Sequence, residues 1–256
     1  MNLNLGINFF EVQDNFIDLN MFLYLFNYAF ELKKKQELNI YTPFFKDTDV
    51  LIIIDNEKNK DYLHVFQFFS KLKANVNIYN INEQNLSQNE YFVPILNYFY
   101  HKYIILFLLN DSLIFKIKSL NTNVYNSIYF NLNKKFFTIF FILSIVFSFY
   151  EIIKDDFRNI KIEIDNELIS ESKLSFLYYL IDKENFKSIV GNLFFNKGET
   201  DFIININSDV LSNFEITLLK LEDKQSYKNK IKISDILANL ILILESFFIN
   251  YLRYIS

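Results

Sequence analysis

The sequence predicts an α/β fold, a largely parallel sheet flanked by helices. Three observations lead there. Residues 49–54, Asp-Val-Leu-Ile-Ile-Ile, form an unbroken apolar run closed by Asp55, as in a strand buried on both faces. A helical stretch and then an alternating stretch follow, so 49–81 reads β-α-β with a right-handed crossover. Further on, 200–206 (Thr-Asp-Phe-Ile-Ile-Asn-Ile) and 214–222 read as two more strands before a closing helix opened by Ile233-Ser234-Asp235.

Taken in order, residues 3–10 already read as folded structure. Residues 16–38 form a helix, because Ile17, Phe22, Leu25, Phe26 and Ala29 recur near a 3.6-residue period. Asp14 or Asn15 can cap its start. Lys33, Lys34 and Lys35 suit its end, where exposed carbonyls favour positive charge. Pro43 marks a loop. Residues 60–73 form the next helix, with Leu63, Phe66, Phe69 and Leu72 at intervals of three, and Val76 to Ile81 alternates as a strand.

The polar stretch 82–90 is a surface loop. A helix is expected over 94–109, a strand over 113–118, and an Asn-rich irregular segment over 121–133. The uncharged run 136–150 is shorter than the roughly 20 residues a membrane-spanning helix needs, so it reads as a buried helix or a pair of strands. A strand at 160–164, a helix at 171–186 and a loop at 187–199 complete the middle. Only seven residues, Asn207 to Asn213, separate the strands at 201–206 and 214–222. A parallel crossover needs a dozen or more, so either the crossover is lost or the pair is antiparallel. The segment 224–232 is a basic loop. The expected organisation is 1–81 as the first part of the α/β domain, 82–190 as a divergent insertion or subdomain, and 191–256 as the closing part.

Composition narrows function. There is no Cys, which excludes disulfides, thiolate metal sites and cysteine nucleophiles. The two histidines, His64 and His101, cannot make a His-rich metal centre. Three glycines cannot build a phosphate-cradling loop, which needs several positions free of Cβ. Asp55 with Glu57, and Asp155 with Asp156, are acidic pairs without a partner base. No catalytic residue, metal or cofactor is implied, and an enzyme is not expected. The abundance of Phe, Ile, Asn, Lys and Tyr is what an A·T-rich genome encodes, as organellar genomes often do. The net charge of −4 runs against the basic excess usual in nucleic-acid binders.

The ends of the chain carry a resemblance. Leu3-Asn4-Leu5-Gly6-Ile7-Asn8-Phe9-Phe10 is similar to the opening Leu-x-x-Gly-Val-His-Phe-Gly of the small-subunit ribosomal protein S-two family, with the His and second Gly replaced. Phe16-Ile17-Asp18-Leu19 matches the family's Ile-Ile-Asp-Leu, and Ala29 falls where its first helix often has Ala. Thr200-Asp201-Phe202-Ile203-Ile204 resembles its Pro-Asp strand. Leu221-Glu222-Asp223 stands where the next strand ends, and Ile233-Ser234-Asp235 opens the last helix. The resemblance covers about 130 residues at the two ends, and 82–190 departs from the family's pattern. A competing register instead sets 49–109 against the family's last third.

The resemblance implies a Rossmann-like or flavodoxin-like fold and a structural role in the small subunit of an organellar ribosome, in the mitochondrial matrix. The partners would be ribosomal RNA and neighbouring ribosomal proteins, without stand-alone homo-oligomerisation. Lys33, Lys34, Lys35, Lys224, Lys228, Lys230 and Lys232 are the candidate phosphate contacts; lysine meets the backbone as a point charge and does not read bases. The alternatives are an organelle-encoded subunit of a respiratory membrane complex and a divergent sugar-phosphate-binding α/β domain.

Overall fold

The computed structural model describes residues 8–11, 19–55, 62–81, 102–119, 127–150, 160–164, 202–208, 214–220, 225–227 and 233–255. The elements are β1 (Asn8–Glu11), α1 (Leu19–Glu37), β2 (Asp49–Asp55), α2 (Tyr62–Lys71), β3 (Asn75–Ile81), β4 (Tyr103–Phe107) and α3 (Asp111–Ser119). They continue with β5 (Ile128–Leu132), α4 (Lys134–Ser148), β6 (Ile160–Ile164), β7 (Phe202–Ser208), β8 (Phe214–Lys220), β9 (Gln225–Tyr227) and α5 (Ile233–Ile255). The chain divides into two compact units, Met1–Gln13 with Thr42–Lys134, and Asp14–Tyr41 with Lys135–Ser256.

The first unit is α/β. Its five strands are parallel throughout, in the order β1-β5-β4-β2-β3. Counted from β2, the block β3-β2-β4-β5 runs 2-1-3-4, and β1 takes the fifth place. That is the flavodoxin-like order, with its last strand supplied from the N-terminal side. Val50 to Ile54 are all buried, as an unbroken apolar run requires when both faces are covered. On one face, Leu51, Ile53, Ile104, Leu106 and Tyr129 pack with Leu113, Ile114 and Ile117 of α3. The other face carries an aromatic cluster. Phe69 of α2 meets Phe45 edge-on at 5.2 Å, Phe45 meets Tyr103 at 5.4 Å, and Phe130 lies against Phe10 at 5.8 Å. Each such side chain contributes about 1.5–3 kcal/mol by leaving water.

Two expectations are exchanged in this unit. The helix expected over 94–109 gives way to strand β4, and the strand expected over 113–118 is helix α3. Tyr-Ile-Ile-Leu-Phe is buried at all five positions between β2 and β5, so its apolar pattern has no period from which to tell strand from helix. Leu113, Phe115 and Ile117 mimic strand alternation, yet Phe115 is 73% exposed, and the buried residues Leu113, Ile114 and Ile117 follow helical spacing. The segment expected to be irregular over 121–133 contains β5, whose Asn131 is a buried polar residue within an apolar strand. The expected β2-α2-β3 unit is present, with β2 and β3 in parallel one-to-one register.

Among the described residues the helix ends lack glycine. Asn39 (φ 56°) and Lys73 (φ 63°) take the left-handed position after α1 and α2. Ile40 N–H donates to Lys35 O and Asn39 N–H to Gln36 O, both at 3.0 Å; Ala74 and Lys73 repeat the pattern on Phe69 O and Ser70 O. These paired bonds satisfy carbonyls that the helix leaves open.

The second unit holds α1, α4, α5 and a four-stranded sheet, β6-β7-β8-β9. β6 and β7 are parallel, while β7 and β8 are antiparallel, as their short connection allows. The stretch 224–232, expected to be a loop, contributes the short strand β9. Helix α4 buries every residue from Phe136 to Phe147. Phe136 and Phe140 lie 5.8 and 5.0 Å from Phe247 of α5, and Phe147 lies 5.5 Å from Phe26 of α1. Polar residues tie the helices in register: Ser246 Oγ donates to Leu25 O at 2.9 Å, and Asn239 Nδ2 donates to Ser148 Oγ at 2.8 Å.

At 15 residues α4 is too short to span a bilayer. Helix α5 contains one window, Asp235–Leu252, long and apolar enough to do so by length and composition. In the structure that window packs on α1 and α4 and includes the buried Glu245.

Candidate functional site

Two surfaces answer the expectations, and each belongs to a single unit. The first is the C-terminal end of α1. Lys34 and Lys35 are exposed and Lys33 is half-buried. Lys34 Nζ sits 4.3 Å from the centre of the Phe30 ring one turn earlier, a cation-π contact that holds the ammonium near the helix. Glu31 and Glu37, also exposed, interleave with the lysines, so the face carries mixed charge. Tyr24 (52% exposed), Leu38 and Ile40 extend it with apolar surface. Lys224, Lys228, Lys230 and Lys232 lie outside the described residues, so the structure places only the first cluster of candidate lysines.

The second is the carboxyl edge of the parallel sheet. In open α/β sheets ligands bind outside the carboxyl ends of the strands, where the strand order reverses. Here that point lies between β2 and β4, because β3 continues to one side of β2 and β4 to the other. Asp55 ends β2 and is half-buried. After β4 the chain turns at Leu108, whose φ of 49° is left-handed. A branched, non-glycine residue there costs on the order of 1–2 kcal/mol. Leu108 N–H donates to Leu132 O at 3.1 Å, tying the turn to β5. Asn110 then caps α3, its side-chain oxygen accepting the Leu113 N–H at 2.8 Å.

This edge presents carboxylates and amides. Asp111 occupies the first turn of α3, where it complements the helix dipole and disfavours an anionic phosphate. Among the described residues no group of three or more His, Asp or Glu could hold a metal ion. Of the acidic pairs singled out in the sequence, only Asp55 is described; Glu57, Asp155 and Asp156 lie outside, as does His101. His64 falls within α2.

Sequence reasoning passed over Asn110, although Asn-Asp-Ser before Leu-Ile-x-x-Ile is a helix-start signal. It also passed over Tyr41 and Glu245. The Tyr41 hydroxyl donates to Glu245 Oε2, and the Glu245 side chain is fully buried in α5. Burial, and then the bond to Glu245, raise the Tyr41 hydroxyl far above its ordinary range. Burial also raises Tyr79, Tyr103 and Tyr251, with Lys102 partly opposing it at Tyr103.

No family model matches the chain, and no curated protein matches it. Solved structures do. Ornithine carbamoyltransferase from Burkholderia thailandensis E264 is 12% identical with a TM-score of 0.47, the match covering 92% of this chain and 96% of that one. Ornithine transcarbamoylase from Giardia lamblia is 11% identical with a TM-score of 0.40, covering 87% of this chain and 60% of that one. Both neighbours are enzymes, but both scores are too low for the likeness to bear on the activity, substrate or partners of this chain.

Proposed function

We propose that the chain is a structural, non-catalytic constituent of the small subunit of an organellar, mitochondrial ribosome. It would contact ribosomal RNA through its lysines and neighbouring ribosomal proteins through its apolar surface. The observation that carries this reading is the order of sequence motifs at the two ends of the chain. The exposed Lys34 and Lys35 at the end of α1 support it, since they can neutralise phosphates without reading bases. The net charge of −4 argues for a chain held as much by protein as by RNA.

The test is sedimentation of a native organelle lysate through a sucrose gradient, with the chain followed by mass spectrometry. Co-migration with small-subunit RNA, lost after nuclease treatment, is the expected result. Migration with a detergent-dependent membrane complex would favour α5 as a membrane element. Migration as a free protein that turns over a small molecule would favour an enzyme using the carboxyl edge of the sheet.

A further inference from the structure

Strand β3 ends the five-stranded sheet, and no strand among the described residues pairs with its other side. It is seven residues long, Asn-Val-Asn-Ile-Tyr-Asn-Ile, and matches β2 residue for residue without a bulge. Open edges are ordinarily blunted by lysine, proline, bulges or brevity, because their free main-chain groups recruit other strands. β3 has none of these devices. The other edge, β1, is only four residues long.

The β3 groups that face away from β2 follow from the register. Asn75 N–H donates to Thr48 O at 2.9 Å, on the β2 side. Main-chain groups alternate along a strand, so those of Val76, Ile78 and Asn80 point outward. Ile78, the middle one, is 38% exposed, and Asn80 is exposed as well.

We infer that β3 is a self-association surface whose occupant is the β3 strand of a second copy, antiparallel about a two-fold axis at Ile78. The register follows from the outward groups: Ile78 faces Ile78, Val76 faces Asn80, and Asn77 faces Tyr79. Every outward donor meets an outward acceptor, the central pair buries aliphatic surface, and the strand carries no charge to repel its copy. The axis closes the assembly at two chains, with one continuous ten-stranded sheet. This stands apart from the ribosomal reading, and it would replace the expectation that the chain does not self-associate.

The chain has no cysteine, so a single introduced thiol reports unambiguously. Hydrogen-bonded antiparallel partners sit with Cα atoms about 5.5 Å apart, within disulfide range. The purified full chain carrying Ile78→Cys should form a disulfide dimer under mild oxidation. Val76→Cys and Asn80→Cys should each stay unlinked alone and link when mixed. Ile78→Lys places like charges across the axis and should raise the dimer dissociation constant by about tenfold or more, with an unchanged circular dichroism spectrum. A chain that sediments as a monomer at every concentration overturns the inference. So does crosslinking with equal efficiency at 76, 78 and 80, which would mean collision or disordered aggregation. Sedimentation above the dimer mass likewise overturns it, because the symmetric pair leaves no open edge at β3.

Discussion

The Tyr41 hydroxyl donates a hydrogen bond to the Glu245 carboxylate, joining residues 204 positions apart within one helical unit. Glu245 is fully buried in an otherwise apolar stretch of α5. A buried carboxyl group keeps its acceptor atoms at low cost only when donors replace the water they have lost.

Removing the donor therefore has a definite cost. Tyr41→Phe should destabilise the chain by about 1–3 kcal/mol, the penalty for leaving a buried acceptor short of a donor. Urea unfolding at neutral pH measures it, with Tyr24→Phe as the exposed control.

The same pair sets a sign for alkaline pH. Tyr41 is raised above its ordinary value of 10.0 by burial and then by Glu245. A hydroxyl raised in the folded state holds its proton there while the unfolded chain releases it. The stabilisation is therefore complete below pH 10 and declines as the pH climbs above it. Stability followed from pH 8 to 11 should fall less steeply in Tyr41→Phe than in the parent, and Tyr79, Tyr103 and Tyr251 account for the slope that remains.

Asn110→Ala should cost about 1 kcal/mol, because it deprives the Leu113 N–H of its acceptor at the start of α3. Asn110→Asp should cost much less, since aspartate caps equally well. Thermal melts of the two variants separate the cap from any general sensitivity of the Leu108 turn.

Lys73→Gly should stabilise the chain by roughly 0.5–1 kcal/mol. The residue is exposed and left-handed, and glycine adopts that conformation without the Cβ clash. Asn39→Gly should gain less, because asparagine already tolerates φ of 56°. Equilibrium denaturation of both variants provides the comparison.

If the α1 lysines hold RNA, changing Lys33, Lys34 and Lys35 together to Gln should reduce the slope of log affinity against log salt by about 2. A binding series against small-subunit RNA at rising salt reads this directly. An unchanged slope would assign the run to the helix dipole alone.

The first unit was readable wherever one pattern had one meaning. Val50 to Ile54 is apolar throughout, but all except Leu51 are β-branched and Asp55 closes the run, which favours a strand, and Leu63 to Leu72 repeats at helical spacing. It was unreadable where a uniform apolar run lacked that enrichment or a decoy was present. Tyr103 to Phe107 is apolar at every position, and the exposed Phe115 completed a false alternation in α3. Asn110 is legible as a cap, and that signal conflicts with the alternation. Tyr41 and Glu245 were not legible at all, because nothing local marks a partner so distant in the chain. The lysines were visible as charges, but their arrangement in space is a tertiary fact, shown only for the cluster on α1.

Helix α4 has no outside: twelve consecutive side chains, Phe136 to Phe147, are all buried. It therefore carries no polar stripe with which to wait in water. Phe247, the ring that covers Phe136 and Phe140, lies 99 residues beyond the end of α4 (247 − 148). At about 5–20 residues per second, translation leaves α4 without that cover for roughly 5–20 s. During that interval its apolar surface is exposed to association, the condition under which a nascent chain depends on being shielded.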